Sequence, residues 1–166
     1  MVKRNLIITI VIYLFIGSPN FSLAQPNVVL KTLQDKYQKC LDQGANMVSC
    51  SLKYYEQMDS LLNVQYKILR SKCDSIQKAN LKDEQLSWLK NRDMAFKLNK
   101  KKSKEELNTN GISGGQDEQM LVHDKNAEYV KQRVIELSKA SPKNYSPEIY
   151  TKKSTGNNEL NSKTRK

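Results

Sequence analysis

"MVSCSLKYYEQMDSLLNVQYKILRSKC", residues 47–73, decides how the rest of the chain is read. Apolar side chains recur at Val48, Leu52, Tyr55, Met58, Leu62, Tyr66, Leu69 and Cys73, always three or four residues apart. An α-helix has about 3.6 residues per turn, so these intervals place them on one face for about seven turns. The spacing predicts a helix from about Met47 to Lys78. Cys73 closes the stripe, so its surroundings are expected to be apolar. A thiol in such a place keeps a high pKa and is inert.

Towards the N-terminus, Val29, Leu33, Tyr37 and Cys40 form a shorter stripe of the same kind. The stretch Asp42–Asn46 (DQGAN) between the two stripes reads as a turn. That turn can bring Cys40 to Cys50. Cys50 and Cys73 would stand about 34 Å apart if one helix carried both, which excludes a bridge between them. The expected disulfide is therefore Cys40–Cys50, with Cys73 left as a buried thiol.

Towards the C-terminus, Gln77–Asn80 reads as a short polar break. A third helix is expected from Leu81, with Asn80 as N-cap and Asp83 and Glu84 in the first turn, where the helix dipole favours acids. It runs through Trp88 and Phe96 to about Lys104. Lys97, Lys100, Lys101, Lys102 and Lys104 form a basic cluster suited to a helix C-terminus, and its plain reading is a solvated helix end. Asn108–Gln116 (NTNGISGGQ) reads as a glycine-rich loop without the flanking strand of a phosphate cradle. Asp117–Ala140 reads as a fourth helix, with Met120, Ala127, Val130, Val134 and Leu137 on one face and His123 beside it as a surface or capping residue. After Pro142 the periodicity stops, and residues 141–166 read as a basic, disordered tail. The expected fold class is all-α: a small bundle of about four helices over residues 25–140, with a long central helical hairpin and one disulfide.

Residues 1–24 read as a secretory signal peptide. Lys3 and Arg4 precede an apolar run, Leu6–Ile16, and Ser22-Leu23-Ala24 places small residues where a signal peptidase reads them. Eleven residues span only about 16 Å as a helix, too short for a membrane anchor. Cleavage after Ala24 removes Lys3 and Arg4 and takes the formal charge from +11 to +9. Such a surface favours acidic partners, including anionic lipid or wall polymer, or is simply a solvated lysine-rich face. Export argues against nucleic acid. The chain has one His, no metal-ligand spacing, no Ser-His-Asp or Cys-His set and no cofactor motif, so catalysis is not expected.

The segments "SLKYYEQMDSLLNVQYKIL" and "LKDEQLSWLKNRDMAF" (51–69 and 81–96) together resemble the lysozyme inhibitor LprI-like N-terminal domain family. The resemblance rests on Cys50, Asp59, Leu62, Asn63 and Tyr66. It continues at Leu81, Gln85, Trp88, Arg92 and Asp93, then at Gly114, Gly115, Arg133 and Leu137. It covers roughly residues 36–140. Phe96 stands where the family often has a cysteine, and that cysteine's partner would fall near Lys125, so a second bridge is lost as a unit. The resemblance implies an exported helical domain that binds and inhibits lysozyme. Animal-type lysozymes are basic and call for an acidic face on the inhibitor. Glu56, Asp59, Asp93, Glu105, Glu106, Asp117 and Glu118 are the candidates for it.

Gln85, Trp88 and Arg92 share one helix face, and Asp59, Asn63 and Tyr66 share another. If the two helices form an antiparallel hairpin, Arg92 is expected to pair with Asp59, Trp88 to pack on Leu62 and Tyr66, and Asn63 and Gln85 to bond across. The competing reading makes Trp88, Arg92 and Asp93 a recognition patch, since Trp and Arg are frequent at binding hot spots. On this reading the chain is a binding module for a protein partner, lysozyme or another cell-wall hydrolase. The alternative is a structural envelope protein held to an anionic surface by its basic helix and tail.

Overall fold

A computed structural model describes residues 26–111 and 114–150. Residues 1–25, which include the segment read as a signal peptide, and residues 151–166 lie outside the described residues, as do Ile112 and Ser113. Four α-helices follow one another: α1 (Pro26–Leu41), α2 (Met47–Ser71), α3 (Ser75–Thr109) and α4 (Gln116–Lys139). A 3-10 turn, Pro142–Tyr145, closes the chain against them. Among the described residues there is no strand, and no helix is long and apolar enough to cross a membrane.

The break between α2 and α3 is earlier than the sequence predicts. α2 ends at Ser71 and α3 begins at Ser75. Asp74, not Asn80, is the cap. Its carboxylate accepts from the Gln77 backbone N–H at 2.9 Å, and its own N–H donates to Gln77 Oε1 at 3.0 Å. This reciprocal box satisfies two donors that a helix start otherwise leaves open. Asn80 lies inside α3 and serves tertiary structure instead, donating from Nδ2 to the Tyr145 carbonyl at 2.9 Å. Cys73 sits in the turn, 5% exposed, where its thiol meets the Leu69 carbonyl. Burial pushes the thiol pKa up, as expected of an inert cysteine.

α4 is the centre of the bundle. It packs along α2 and against α3, while α2 and α3 make little close backbone contact with each other. The two arms of the hairpin are thus bridged by α4. Ala127, Val130, Val134 and Leu137 point from α4 into a core with Met58, Leu62, Leu69 and Leu81. α2 is flanked on two sides, so it buries more than one stripe. Tyr54 and Leu61 join the core, while Leu52, placed on the stripe from sequence, is exposed.

α1 is tethered to α2 by the Cys40–Cys50 disulfide, whose Cα atoms are 5.8 Å apart. Gly44 and Asn46, both at positive φ, shape the intervening turn. Tyr37 stacks on Tyr54 with centroids 4.6 Å apart. The Tyr37 hydroxyl donates to Asp124 of α4, and the Tyr54 hydroxyl to Gln34 of α1, each at 2.6 Å.

The end of the domain is also later than expected. Residues 141–150 belong to the folded unit: Tyr145 is 3% exposed and joins the core. Pro142, which looks like a helix stop, begins the 3-10 turn that delivers Tyr145.

Among the described residues, one fully buried side-chain group lacks a partner. Ser103 is fully buried on α3 and its hydroxyl makes no hydrogen bond. A dry, unpaired hydroxyl costs about 1–3 kcal/mol. Ser103→Ala is therefore expected to stabilise the domain by about 1 kcal/mol, read as a higher denaturant midpoint at unchanged slope.

Candidate protein-binding site

The signature residues separate into two groups in the fold. The first is a buried knot centred on Arg133 of α4. Its guanidinium donates to Glu84 at 3.1 Å, to Glu136 at 2.9 Å and twice to Gln85 Oε1 at 3.1 and 3.2 Å. It also lies 5.8 Å from the centre of the Trp88 ring. Trp88 stacks against Tyr129 of α4 at 5.7 Å. Gln85 and Trp88 thus fasten α3 to the last helix, and the ring that Trp88 stacks on is Tyr129 of α4 in place of the expected Tyr66.

The second group lies at the surface, partly or fully exposed. Arg92 does not pair with Asp59. It binds the adjacent Asp93 at 2.8 Å and lies over the faces of Trp88 and Phe96, 5.9 and 5.6 Å from their centres. Asn63 Nδ2 donates to the Asp59 backbone carbonyl at 2.9 Å, one turn back on α2, and does not cross the hairpin. The two helices nevertheless face each other as predicted. Asp59, Leu62, Asn63 and Tyr66 form one wall of a groove of about 290 Å³; Gln85, Leu89 and Arg92 belong to the other. The sides are antiparallel, and a direct ion pair is absent because the nearer Asp93 takes the guanidinium.

Beyond the groove lies a half-buried aromatic surface. Tyr55 of α2 meets Phe96 edge-on at 5.8 Å and the His123 ring at 6.5 Å. Phe96 in turn meets Tyr129 edge-on at 6.2 Å. Burial raises the Tyr55 pKa, and Asp59 raises it further, Arg92 lowers it and Asp93 raises it. Two of the candidate acidic residues, Asp59 and Asp93, therefore converge on this surface. Glu105 and Glu106 stand at the far end of α3 beside Lys101 and Lys125, and Asp117 and Glu118 are in the first turn of α4. His123, expected at the surface, is a half-buried member of the aromatic set. Sequence reasoning missed Tyr129 and the role of Tyr55. Their spacing on each helix was legible, but their meeting across three helices was not.

The basic cluster is not at a helix end. α3 continues to Thr109, and no basic residue occupies its last turn. Lys97, Lys100, Lys101, Lys102 and Lys104 are exposed along its second half, with Lys101 loosely paired to Glu105 at 3.7 Å. The sequence also placed Gly114–Gly115 in the signature. Gly115 precedes α4 at φ 102°, a backbone state that favours glycine.

A family model described as Lysozyme inhibitor LprI matches residues 37–137. The chain belongs to this family. No curated protein and no solved structure matches it. The LprI match runs from Tyr37, which ties α1 to α4, to Leu137 in the core. It therefore embraces most of the described bundle, including the Arg133 knot and the aromatic surface.

The tyrosines that hold this LprI-family domain together predict its response to alkali. Burial, with smaller effects of nearby carboxylates, pushes Tyr54 from 10.0 to about 12. Burial foremost, with Glu84 adding and Arg133 opposing, does the same for Tyr145. A folded-state pKa above the unfolded value means that the native chain holds protons the unfolded chain has lost. The stabilisation is complete below pH 10 and disappears as pH rises towards about 12. Denaturant midpoints are expected to fall across that window, and a midpoint that is flat there would contradict the assignment.

Proposed function

We propose that the chain is an exported, non-catalytic binding module that inhibits lysozyme or a related cell-wall hydrolase by protein–protein contact. Membership of the LprI family carries this reading. The half-buried surface of Tyr55, Phe96, Tyr129 and Arg92, edged by Asp59 and Asp93, is the contact region it favours. Aromatic and Arg side chains dominate binding hot spots, because they offer large rigid area and directed polar contact. The two carboxylates supply the negative edge that a basic hydrolase needs, on a chain that is otherwise positive.

The test is a lysozyme activity assay with purified residues 25–166. Inhibition at micromolar or lower concentration is expected. Asp93→Lys changes an exposed side chain and reverses its charge, so it is expected to weaken inhibition about tenfold, the equivalent of 1.4 kcal/mol, while the melting temperature changes little. A folded protein that leaves lysozyme fully active would sink this reading.

The exposed lysines of α3 favour a second reading, an envelope protein held to anionic membrane or wall polymer. That reading expects salt-sensitive pelleting on anionic liposomes or wall fragments without inhibition. Removing residues 151–166 tests the part played by the tail. Residues 141–150 must stay, because Tyr145 belongs to the core.

A further inference from the structure

A second depression, of about 480 Å³, opens between α1, α2 and α4. Its volume falls in the range of small-ligand sites, roughly 300–1,000 Å³. Val29, Leu61, Val64, Ile68 and Leu137 make it apolar. Two polar side chains on α2 and its C-cap interrupt that lining. Gln65 is 8% exposed, lines the groove and makes no side-chain hydrogen bond with a described residue. Its amide N–H groups are therefore available to an acceptor placed in the groove. Lys72 is the only charged residue among those that line it, and its ammonium pairs with no described carboxylate. The two residues are seven apart, about two turns or 10 Å along the helix.

An apolar channel, an inner amide and one cation at the rim have the polarity pattern of a lipid with one chain. We propose that this groove binds a single-chain anionic lipid. The acyl chain lies against Val29, Leu61, Val64, Ile68 and Leu137, its ester carbonyl accepts from the Gln65 amide, and its anionic head pairs with Lys72. No acidic side chain lines the groove to oppose that head. This site is separate from the surface assigned to hydrolase binding, which lies on the α3 side of α2.

The experiment is calorimetric titration of the purified exported chain with myristoyl lysophosphatidylglycerol, kept below its micelle concentration. The expected result is saturable binding of a single molecule per chain. Myristoyl lysophosphatidylcholine, whose head has no net charge, is expected to bind about tenfold more weakly, and K72Q should erase that preference. V64E places a carboxylate at a position that is 43% exposed, and should weaken the anionic lipid by tenfold or more. Leucine at the same position should not. Equal affinity of the wild-type chain for the two lipids, or an unchanged K72Q, overturns the proposal. So does unsaturable uptake of many molecules, or a dimer that takes up no lipid. Lysozyme inhibition is expected to be unchanged in K72Q and V64E, so the two proposals fail or stand separately.

Discussion

Arg133→Ala is expected to lower the stability of the domain by about 3 kcal/mol and its melting temperature by roughly 10 °C. The Arg133 side chain is 6% exposed and its partner Glu84 18% exposed. An ion pair this deep contributes little net stability compared with a well-packed apolar pair, but removing one side strands the other. Here the alanine would also leave Gln85 Oε1 without its two donors and remove one of the two cations near the Trp88 ring. Arg92→Ala is the contrast. Arg92 pairs with an exposed neighbour on its own helix, Asp93 being 62% exposed, and such pairs are worth about 1 kcal/mol or less. Thermal melts of the two variants should therefore separate clearly. Equal losses would mean that the knot is not where α3 is fastened. Activity should separate them in the other direction: Arg92→Ala is expected to impair partner binding in a chain that stays folded.

Loss of the Cys40–Cys50 bridge is the second large effect. It closes a loop of ten residues, and restricting the unfolded chain over that length corresponds to about 2.5–3 kcal/mol. The double variant Cys40→Ser, Cys50→Ser is expected to lose that much in denaturant titration. α1 should be the first element to loosen. Leu30 is its one fully buried residue, and the rest of its attachment is the Tyr37–Tyr54 stack with the Asp124 and Gln34 hydrogen bonds. Thiol labelling gives an independent check. In the reduced native chain the half-buried Cys40 should react before Cys50 and Cys73, which are 4% and 5% exposed and become accessible only when their surroundings open. Rapid labelling of Cys73 in the folded, oxidised chain would contradict its burial.

The pattern of legible and illegible features has a physical cause. Periodicity reports burial of apolar side chains against one neighbour, so α1, α2 and α4 were readable from their stripes. α3 was readable only as a helix. The face it turns to α4 holds Gln85, Trp88, Asn99 and Ser103 among its members, and Asn99 donates to Asn126 across that interface at 3.0 Å. A polar interface of this kind leaves no apolar stripe, so its partner could not be identified. The wrong cap at Asn80 has a similar origin. Asp74 and Asn80 are both good capping residues, and what separates them is that Tyr145 approaches Asn80 from sixty-five residues away. The tail boundary failed for the same reason, since the value of Tyr145 depends on the cavity that receives it.

By itself, the sequence determined what local chemistry governs: an all-α chain, the four helices to within a turn or two, the Cys40–Cys50 pairing and a short turn between the long helices. It also carried the family signature through Asp59, Tyr66, Gln85, Trp88 and Arg92. Tertiary structure alone decided which of those residues bind the fold and which remain at its surface. Arg133 reaches Glu84 and Gln85 across nearly fifty residues, and that contact turns Trp88 inward. Arg92, one turn further along α3, is left to Asp93 and to solvent. Helix spacing sets the direction in which a side chain leaves its own axis. Whether another helix meets it there is a matter of packing angle and distance, which spacing does not encode.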